Sequence, residues 1–159
     1  GAPEQTAAVF RDGWFLTSDL GRLDEQGRLR VVGRIDDLIV SGGVNVAPAE
    51  VEAALAGLPG VGAVCVVGLP DPEWGERVAA AVVPADPARP PDPAALRAAA
   101  RGLLTGARAP KQILLLDALP LRGVGKPDRD AVRALLGGRP AARPADAGSV
   151  SRCRATTQR

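Results

Sequence analysis

The run Gly60-Val61-Gly62-Ala63-Val64-Cys65-Val66-Val67-Gly68, followed a few residues later by Arg77-Val78-Ala79-Ala80-Ala81-Val82-Val83, decides the fold class. Both runs are short, apolar and bounded by turn formers, so each reads as a buried strand. Upstream of the pair, Pro48 opens a predicted helix that runs to about Gly57, with Pro in the first turn and Glu50 and Glu52 near the positive end of the dipole. Downstream, residues 84–93 hold five prolines and read as a loop. A helix is predicted from Pro93 to about Leu104, a strand over 112–116, and a last helix from an Asp128 N-cap through about Leu136. Nearer the start, two apolar stretches within 14–33 flank Asp24-Glu25-Gln26-Gly27. Gly27 supplies the positive φ of a tight connection, so this segment reads as a β-hairpin. A short strand, Leu38-Ile39-Val40, follows and ends at Gly42-Gly43. The order is a hairpin and then βαββαβα, with no internal repeat. It predicts an α+β fold in which a small sheet is covered by helices.

Composition narrows the chemistry. The 159 residues contain two Trp, two Phe and no Tyr, so the core must be built from Val, Leu, Ile and Ala. There is no His, which excludes His-based triads and the usual zinc sites, and no metal-binding residue set is predicted. Cys65 lies in an apolar run and Cys153 in a polar tail, which suits neither a disulfide nor a metal pair. No apolar run approaches the roughly 18 residues that cross a bilayer. The expected location is the cytoplasm, with no membrane partner. Five Arg and one acid fall in residues 138–159, leaving 15 basic against 17 acidic residues elsewhere. The positive charge therefore belongs to the tail, which is expected to be a disordered basic end. No aromatic is interleaved there to stack on bases, so no nucleic-acid partner is expected. Without any Met, and with Gly1 first, the chain is expected to be cut from a longer one.

Three segments spend glycines and charges in ways that structure alone does not require. One is Gly13-Trp14-Phe15-Leu16-Thr17-Ser18-Asp19-Leu20-Gly21 with the following Gly33-Arg34-Ile35-Asp36-Asp37. The next is Ser41-Gly42-Gly43-Val44-Asn45-Val46-Ala47-Pro48-Ala49-Glu50-Val51-Glu52. The last is Leu119-Pro120-Leu121-Arg122-Gly123-Val124-Gly125-Lys126-Pro127-Asp128-Arg129. A Lys in a Gly-rich loop just ahead of a helix suits a phosphate or carboxylate, although the spacing is not that of a Walker loop.

In this order and spacing the segments resemble the adenylate-forming superfamily of acyl-CoA synthetases, peptide-synthetase adenylation domains and luciferases, over residues 2–136. The resemblance implies an enzyme that activates a carboxylic acid with ATP and Mg²⁺ and then passes the acyl group to a thiol, here CoA. Residues 1–35 then correspond to the end of a large N-terminal domain, Asp36 to a hinge, 37–136 to a rotating C-terminal lid, and 137–159 to the tail. It further implies that Asp19 accepts hydrogen bonds from the ribose of ATP and that Arg34 contacts the nucleotide. Gly42 and Gly43 would line the pantetheine channel, and Trp74 would pack on the CoA adenine. Lys126 would be the catalytic lysine of adenylation. The surroundings depart from the family at two points: Thr17-Ser18-Asp19 replaces the usual Thr-Gly-Asp, and Leu121-Arg122-Gly123 replaces a Thr/Ser-rich loop. The second variant, with Ser41-Gly42-Gly43-Val44-Asn45-Val46, is most similar to o-succinylbenzoate–CoA ligases of menaquinone synthesis. The implied partners are the missing N-terminal domain, a small carboxylic acid and CoA, with the chain inactive alone.

Other readings stay open. Trp74 also fits a core position, Gly42-Gly43 a tight turn, Arg34 a surface pair with Asp36 or Asp37, and Asp37 a solvated side chain. The whole chain also fits an adenylation domain that loads a carrier protein, or a non-enzymatic binding module shaped like a lid.

Overall fold

The structure, a computed structural model, describes residues 3–138. Of the tail expected over 137–159, only Gly137 and Gly138 fall within the described residues. The chain opens with helix α1 (Pro3–Val9) and two antiparallel hairpins, β1 (Phe10–Arg11) with β2 (Trp14–Phe15) and β3 (Asp19–Leu23) with β4 (Leu29–Arg34). Asp12 and Gly13 turn the first hairpin with φ of 52° and 81°, the left-handed pair that a two-residue connection demands. In the second, Asp24 Oδ1 accepts from the N–H groups of Gln26 at 3.0 Å and Arg28 at 2.9 Å, and Gly27 takes φ 75°. The hairpin expected over 14–33 is therefore two, and Trp14 and Phe15 pair with Arg11 and Phe10 instead.

A short 3-10 helix (Ile35–Asp37) leads into the main sheet. Its strands are β5 (Ile39–Ser41), β6 (Val44–Val46), β7 (Val61–Asp71), β8 (Gly75–Pro84) and β9 (Gln112–Leu115), interleaved with helices α2 (Pro48–Ala56) and α3 (Pro93–Leu103). β7 pairs antiparallel with β8 along its whole length, from Val61↔Pro84 to Asp71↔Gly75. The opposite edge of β8 is shared: β5 meets it at Ser41↔Gly75, and β9 runs parallel to it from Ala79↔Gln112 to Val82↔Leu115. A parallel partner needs a crossover, which α3 and its flanking loops provide. After β9 come a small hairpin, β10 (Leu121–Arg122) with β11 (Lys126–Pro127), and helix α4 (Arg129–Leu136).

Strand alternation sorts the core into two faces. Val66, Val78, Ala80 and Val82 pack with Val51 and Leu55 of α2 and with Leu96 and Ala100 of α3. Cys65, Val67, Leu69, Ala79 and Ala81 point the other way, to Val132 and Leu136 of α4. Helices α2, α3 and α4 each bury an i, i+4 pair, the spacing that stacks side chains on one helical face. Complete burial of one such Val or Leu stabilises by about 1.5–3 kcal/mol. The helix starts follow local rules. Pro48 and Pro93 fill first-turn positions, where no N–H is missed. Asp92 and Asp128 cap α3 and α4 through the N–H groups two and three residues on. The fold is thus the expected α+β arrangement, a small sheet with helices on both faces.

The first 35 residues contrast with this core. Phe10, Trp14, Phe15, Leu23, Leu29 and Val31 are each exposed by half or more, Trp14 by 76%. For large apolar side chains in so short a segment, this is an uncovered face.

Two candidate functional faces

Lys126 stands on the β10–β11 hairpin, directly across from Arg122. Gly123 (φ 55°) and Gly125 (φ 89°) turn it, and Val124 between them is 95% exposed. The hairpin is closed by the Asp128 N–H, which donates to the Pro120 carbonyl at 2.8 Å. Arg122 Nη2 adds bonds to Asp128 at 3.1 Å and Asp130 at 3.0 Å. The N–H of Ala131 first, and the Arg122 charge after it, hold the Asp128 carboxyl below its ordinary range.

Beside this hairpin lies an open concavity of about 550 Å³, lined by Lys126, Arg122, Arg129 and Arg133 and by Asp36, Asp37 and Asp130. Arg122, Arg129 and Arg133 are all ion-paired, and Lys126 is the lining cation with no such partner among the described residues. The residue singled out as a hinge and the residue singled out as catalytic therefore face one space. Asp19 and Arg34 are cross-strand partners at the open end of the β3–β4 hairpin. The Ser18 carbonyl accepts from the Ile35 N–H at 2.7 Å, and Arg34 Nη2 donates to Asp36 Oδ2 at 3.1 Å. Asp19, Arg34 and Asp36 thus gather at one corner. Asp37, expected to be solvated, lies 3.7 Å from Arg129 Nε.

The second face lies at the start of β8. Gly42 (φ 56°) and Gly43 (φ 76°) form the two-residue turn between β5 and β6, which only glycine adopts without strain. The Gly42 N–H donates to the Trp74 carbonyl at 2.9 Å, and the indole lies against Gly42 itself. A Cβ at Gly42 would sit 2.7 Å from Trp74 Cε3. The backbone N–H of Trp74 donates to Asp71 Oδ1 at 3.1 Å, which fixes the turn that carries the ring. Gly42, Gly43 and Trp74, named separately from the sequence, form one cluster. It shares no residue with the Lys126 concavity.

Two contacts escaped sequence reasoning. Lys111 Nζ sits 3.3 Å from the centroid of the Trp74 ring, a cation–π contact across 37 residues of chain. Arg129 joins Glu52 at 2.8 Å across 77 residues. Neither has a local signature: Lys111 lies outside the three motif segments, and Arg129, the last residue of the third, gives no sign there of its partner. Beside the second contact, Cys65 is buried, and desolvation pushes its thiol above the usual range.

With this geometry in place, comparison with known proteins identifies the domain. The family model of the AMP-binding enzyme C-terminal domain matches residues 50–126. The medium/long-chain-fatty-acid–CoA ligase FadD8 of Mycobacterium tuberculosis is 46% identical over 138 residues, covering 83% of this chain and 24% of its own length. Feruloyl-CoA synthase of an Amycolatopsis species is 48% identical over 137 residues (86% and 28%), and 2-succinylbenzoate–CoA ligase of Geobacillus kaustophilus 44% over 134 residues (84% and 27%). Among solved structures, amide bond synthetase McbA of Marinactinospora thermotolerans superposes with a TM-score of 0.78 at 42% identity (84% of this chain, 27% of that one). The Bacillus subtilis o-succinylbenzoate CoA synthetase in complex with its acyl-adenylate gives 0.73 at 36% (80% and 26%). The chain spans about a quarter of the length of the curated relatives it matches. On sequence and fold together, the chain carries the AMP-binding C-terminal domain of the adenylate-forming acyl-CoA ligase superfamily.

Proposed function

We propose that this chain is the rotating lid of an ATP-dependent, AMP-forming carboxylic acid–CoA ligase, with residues 1–35 the last part of a large domain and Asp36 the hinge. The single observation that carries the reading is the separation of two built faces: the concavity of Lys126 and the Gly42–Gly43–Trp74 cluster have no residue in common. A lid that serves two half-reactions in turn needs two such faces and one pivot. In the adenylating pose Lys126 brings a point charge to the reacting carboxylate and the α-phosphate, where charge builds up in the displacement. Asp19 and Arg34 hold the nucleotide. In the second pose the glycine turn lets pantetheine pass close to backbone, and Trp74 offers its ring to the adenine.

The uncovered apolar face of residues 10–31 supports the two-part division, since the large domain would cover it. No group of three or more Cys, Asp or Glu side chains among the described residues is arranged to hold a metal ion, so Mg²⁺ would travel with ATP on the large domain. Alone, the chain is expected to be inactive and to bind ATP and CoA weakly. The enzyme would work in the cytoplasm, where ATP and CoA are supplied. For the acid we propose o-succinylbenzoate, on the strength of Leu121-Arg122-Gly123 with Ser41-Gly42-Gly43-Val44-Asn45-Val46; overall identity does not choose the acid, at 44% to a 2-succinylbenzoate–CoA ligase against 46% and 48% to the fatty-acid and feruloyl relatives.

The test is an acid-dependent ATP–pyrophosphate exchange assay of the full-length ligase with o-succinylbenzoate, ferulate and fatty acids, repeated on the 159-residue chain alone. The reading expects exchange from the full-length protein only, highest with o-succinylbenzoate. Preference for ferulate or a fatty acid overturns the acid assignment and leaves the lid intact. Exchange by the chain alone, or micromolar ATP binding to it in calorimetry, overturns the division itself.

A further inference from the structure

Val66 lies on the outer edge of β7, since β8 occupies the other edge throughout. An edge strand leaves N–H and C=O groups without a ladder partner. At Val66 two side chains fill that role. Its N–H donates to Glu52 Oε1 at 2.9 Å, and its carbonyl accepts from Arg129 Nη1 at 2.6 Å. The two side chains are bonded to each other, Arg129 Nη1 to Glu52 Oε1 at 2.8 Å and Nη2 to Oε2 at 3.4 Å. The carboxylate accepts as a neighbouring carbonyl would, and the guanidinium donates as a neighbouring amide would. Glu52 rises from α2 on one face of the sheet, and Arg129 is the first residue of α4 on the other. The pair therefore clasps both helices around the strand edge. Both side chains are only about a quarter exposed, at 25% and 23%, so water screens the pair less than a surface one. The planar fork lets Nη1 donate to Glu52 and Val66 while Nη2 reaches the second carboxylate oxygen; a lysine ammonium, a single point of charge on a flexible stem, does not reproduce that paired geometry.

The clasp bears on Lys126 because of what the β10–β11 hairpin lacks. No main-chain ladder joins it to the five-stranded sheet. Its ties run through the Asp128 N–H, Arg122 and the N-terminus of α4. Arg129 fixes that N-terminus, three residues beyond Lys126. The same guanidinium lies 3.7 Å from Asp37, beside the proposed hinge.

We infer that Arg129, held by Glu52 on the edge of β7, is a positioning residue that fixes Lys126 for acid activation. The inference rests on the reading of Lys126 as the adenylating lysine. The ammonium has to sit within a fraction of an ångström of its place, because misplacement by about 1 Å can cost about 10²-fold in rate. Acyl transfer to the thiol uses the other face and does not depend on the clasp.

The experiment takes Arg129→Gln, Arg129→Lys and Glu52→Gln in the full-length ligase, beside Lys126→Ala. For each, ATP–pyrophosphate exchange and thioester formation from a supplied acyl-adenylate are measured separately. Arg129→Gln is expected to lower the kcat of exchange at least about tenfold at unchanged KM for ATP, with thioester formation preserved. Arg129→Lys should rescue little, and Glu52→Gln should act in the same direction. In the 159-residue chain, Arg129→Gln should speed amide hydrogen exchange at Asp128 and leave the β8 amides protected. Unchanged exchange kinetics and unchanged Asp128 protection overturn the inference. So does an equal fall in both half-reactions with lost protection across the sheet, which would make the clasp a support of the fold alone. If Lys126→Ala retains full exchange activity, the reading of Lys126 fails instead, and Asp128 protection still decides whether Arg129 mounts the hairpin.

Discussion

Replacing Gly42 by Ala tests the packing of the Gly42–Gly43–Trp74 cluster through stability alone. Gly42 has φ 56°, and a side chain in that left-handed region costs roughly 1 kcal/mol. The added Cβ would lie 2.7 Å from Trp74 Cε3 and 2.9 Å from Cζ3, closer than carbon atoms tolerate. The ring cannot simply swing away: its backbone is held by Asp71, and Lys111 sits on it. Forcing the shift adds roughly 1–3 kcal/mol, by comparison with overpacked cores. The expected total is therefore about 2–4 kcal/mol, at roughly 3–5 °C of Tm per kcal/mol in a domain this size. Gly43 has φ 76° but nothing within 4 Å of an added Cβ, so Gly43→Ala should show the backbone cost only. Urea unfolding followed by circular dichroism, for both variants and again in a Trp74→Ala background, separates the two terms. Without the indole, the Gly42→Ala loss should fall to that of Gly43→Ala. Equal losses at the two glycines, or additive losses with Trp74→Ala, would refute the packing of the ring on Gly42.

Leu55→Ala empties a fully buried site between α2 and the sheet and should cost about 3 kcal/mol in the same assay; a loss below about 1 kcal/mol would mean the core closes over the gap. The Asp128 carboxyl is held below its ordinary value of 3.8, so the stability it contributes is present above that value and is lost as pH falls through the lower folded value. Asp128→Asn should accordingly show a shallower loss of stability than the parent as pH drops below about 4, and parallel acid-unfolding curves would contradict this. If residues before Asp36 belong to another domain, their amides should exchange fast while those of β7 and β8 stay protected, and uniform protection on both sides in a monomer would end the two-part reading.

The sheet and its helices were legible because their signals are local. Pro48, Asp128 and the valines around Cys65 each follow rules that act within a few residues, and the elements begin and end near where those rules place them. Other elements were missed for definite reasons. Val44–Val46 is a three-residue strand that exists only because Gly42 and Gly43 both take positive φ and fold it back on β5. Trp14–Phe15 reads as the start of the 14–33 hairpin because nothing in that stretch points back across Asp12-Gly13, whose positive φ pairs it with Phe10–Arg11 instead. Of the site, the motif residues could be named singly. Their grouping could not be read, since Trp74 reaches Gly42 only when β8 pairs with β5 at Gly75. Glu52 shows the limit most clearly: near the start of a helix it reads as a dipole partner, yet it accepts from Val66 and Arg129 across the sheet edge.

The central claim, one lid with two faces used in turn, is tested most directly by assaying the two half-reactions separately for Lys126→Ala and Trp74→Ala in the full-length ligase. Lys126 faces the concavity it shares with Asp36, and Trp74 belongs to the glycine-turn cluster, so a domain that rotates as proposed would present them in different poses. Lys126→Ala should lower acyl-adenylate formation by about 10²–10³-fold, as loss of one preorganised charge-stabilising group does, and leave thioester formation from supplied acyl-adenylate near the parent rate. Trp74→Ala should do the reverse, sparing adenylation and raising the KM for CoA. Equal losses in both half-reactions for Lys126→Ala would make it a structural lysine and contradict the account.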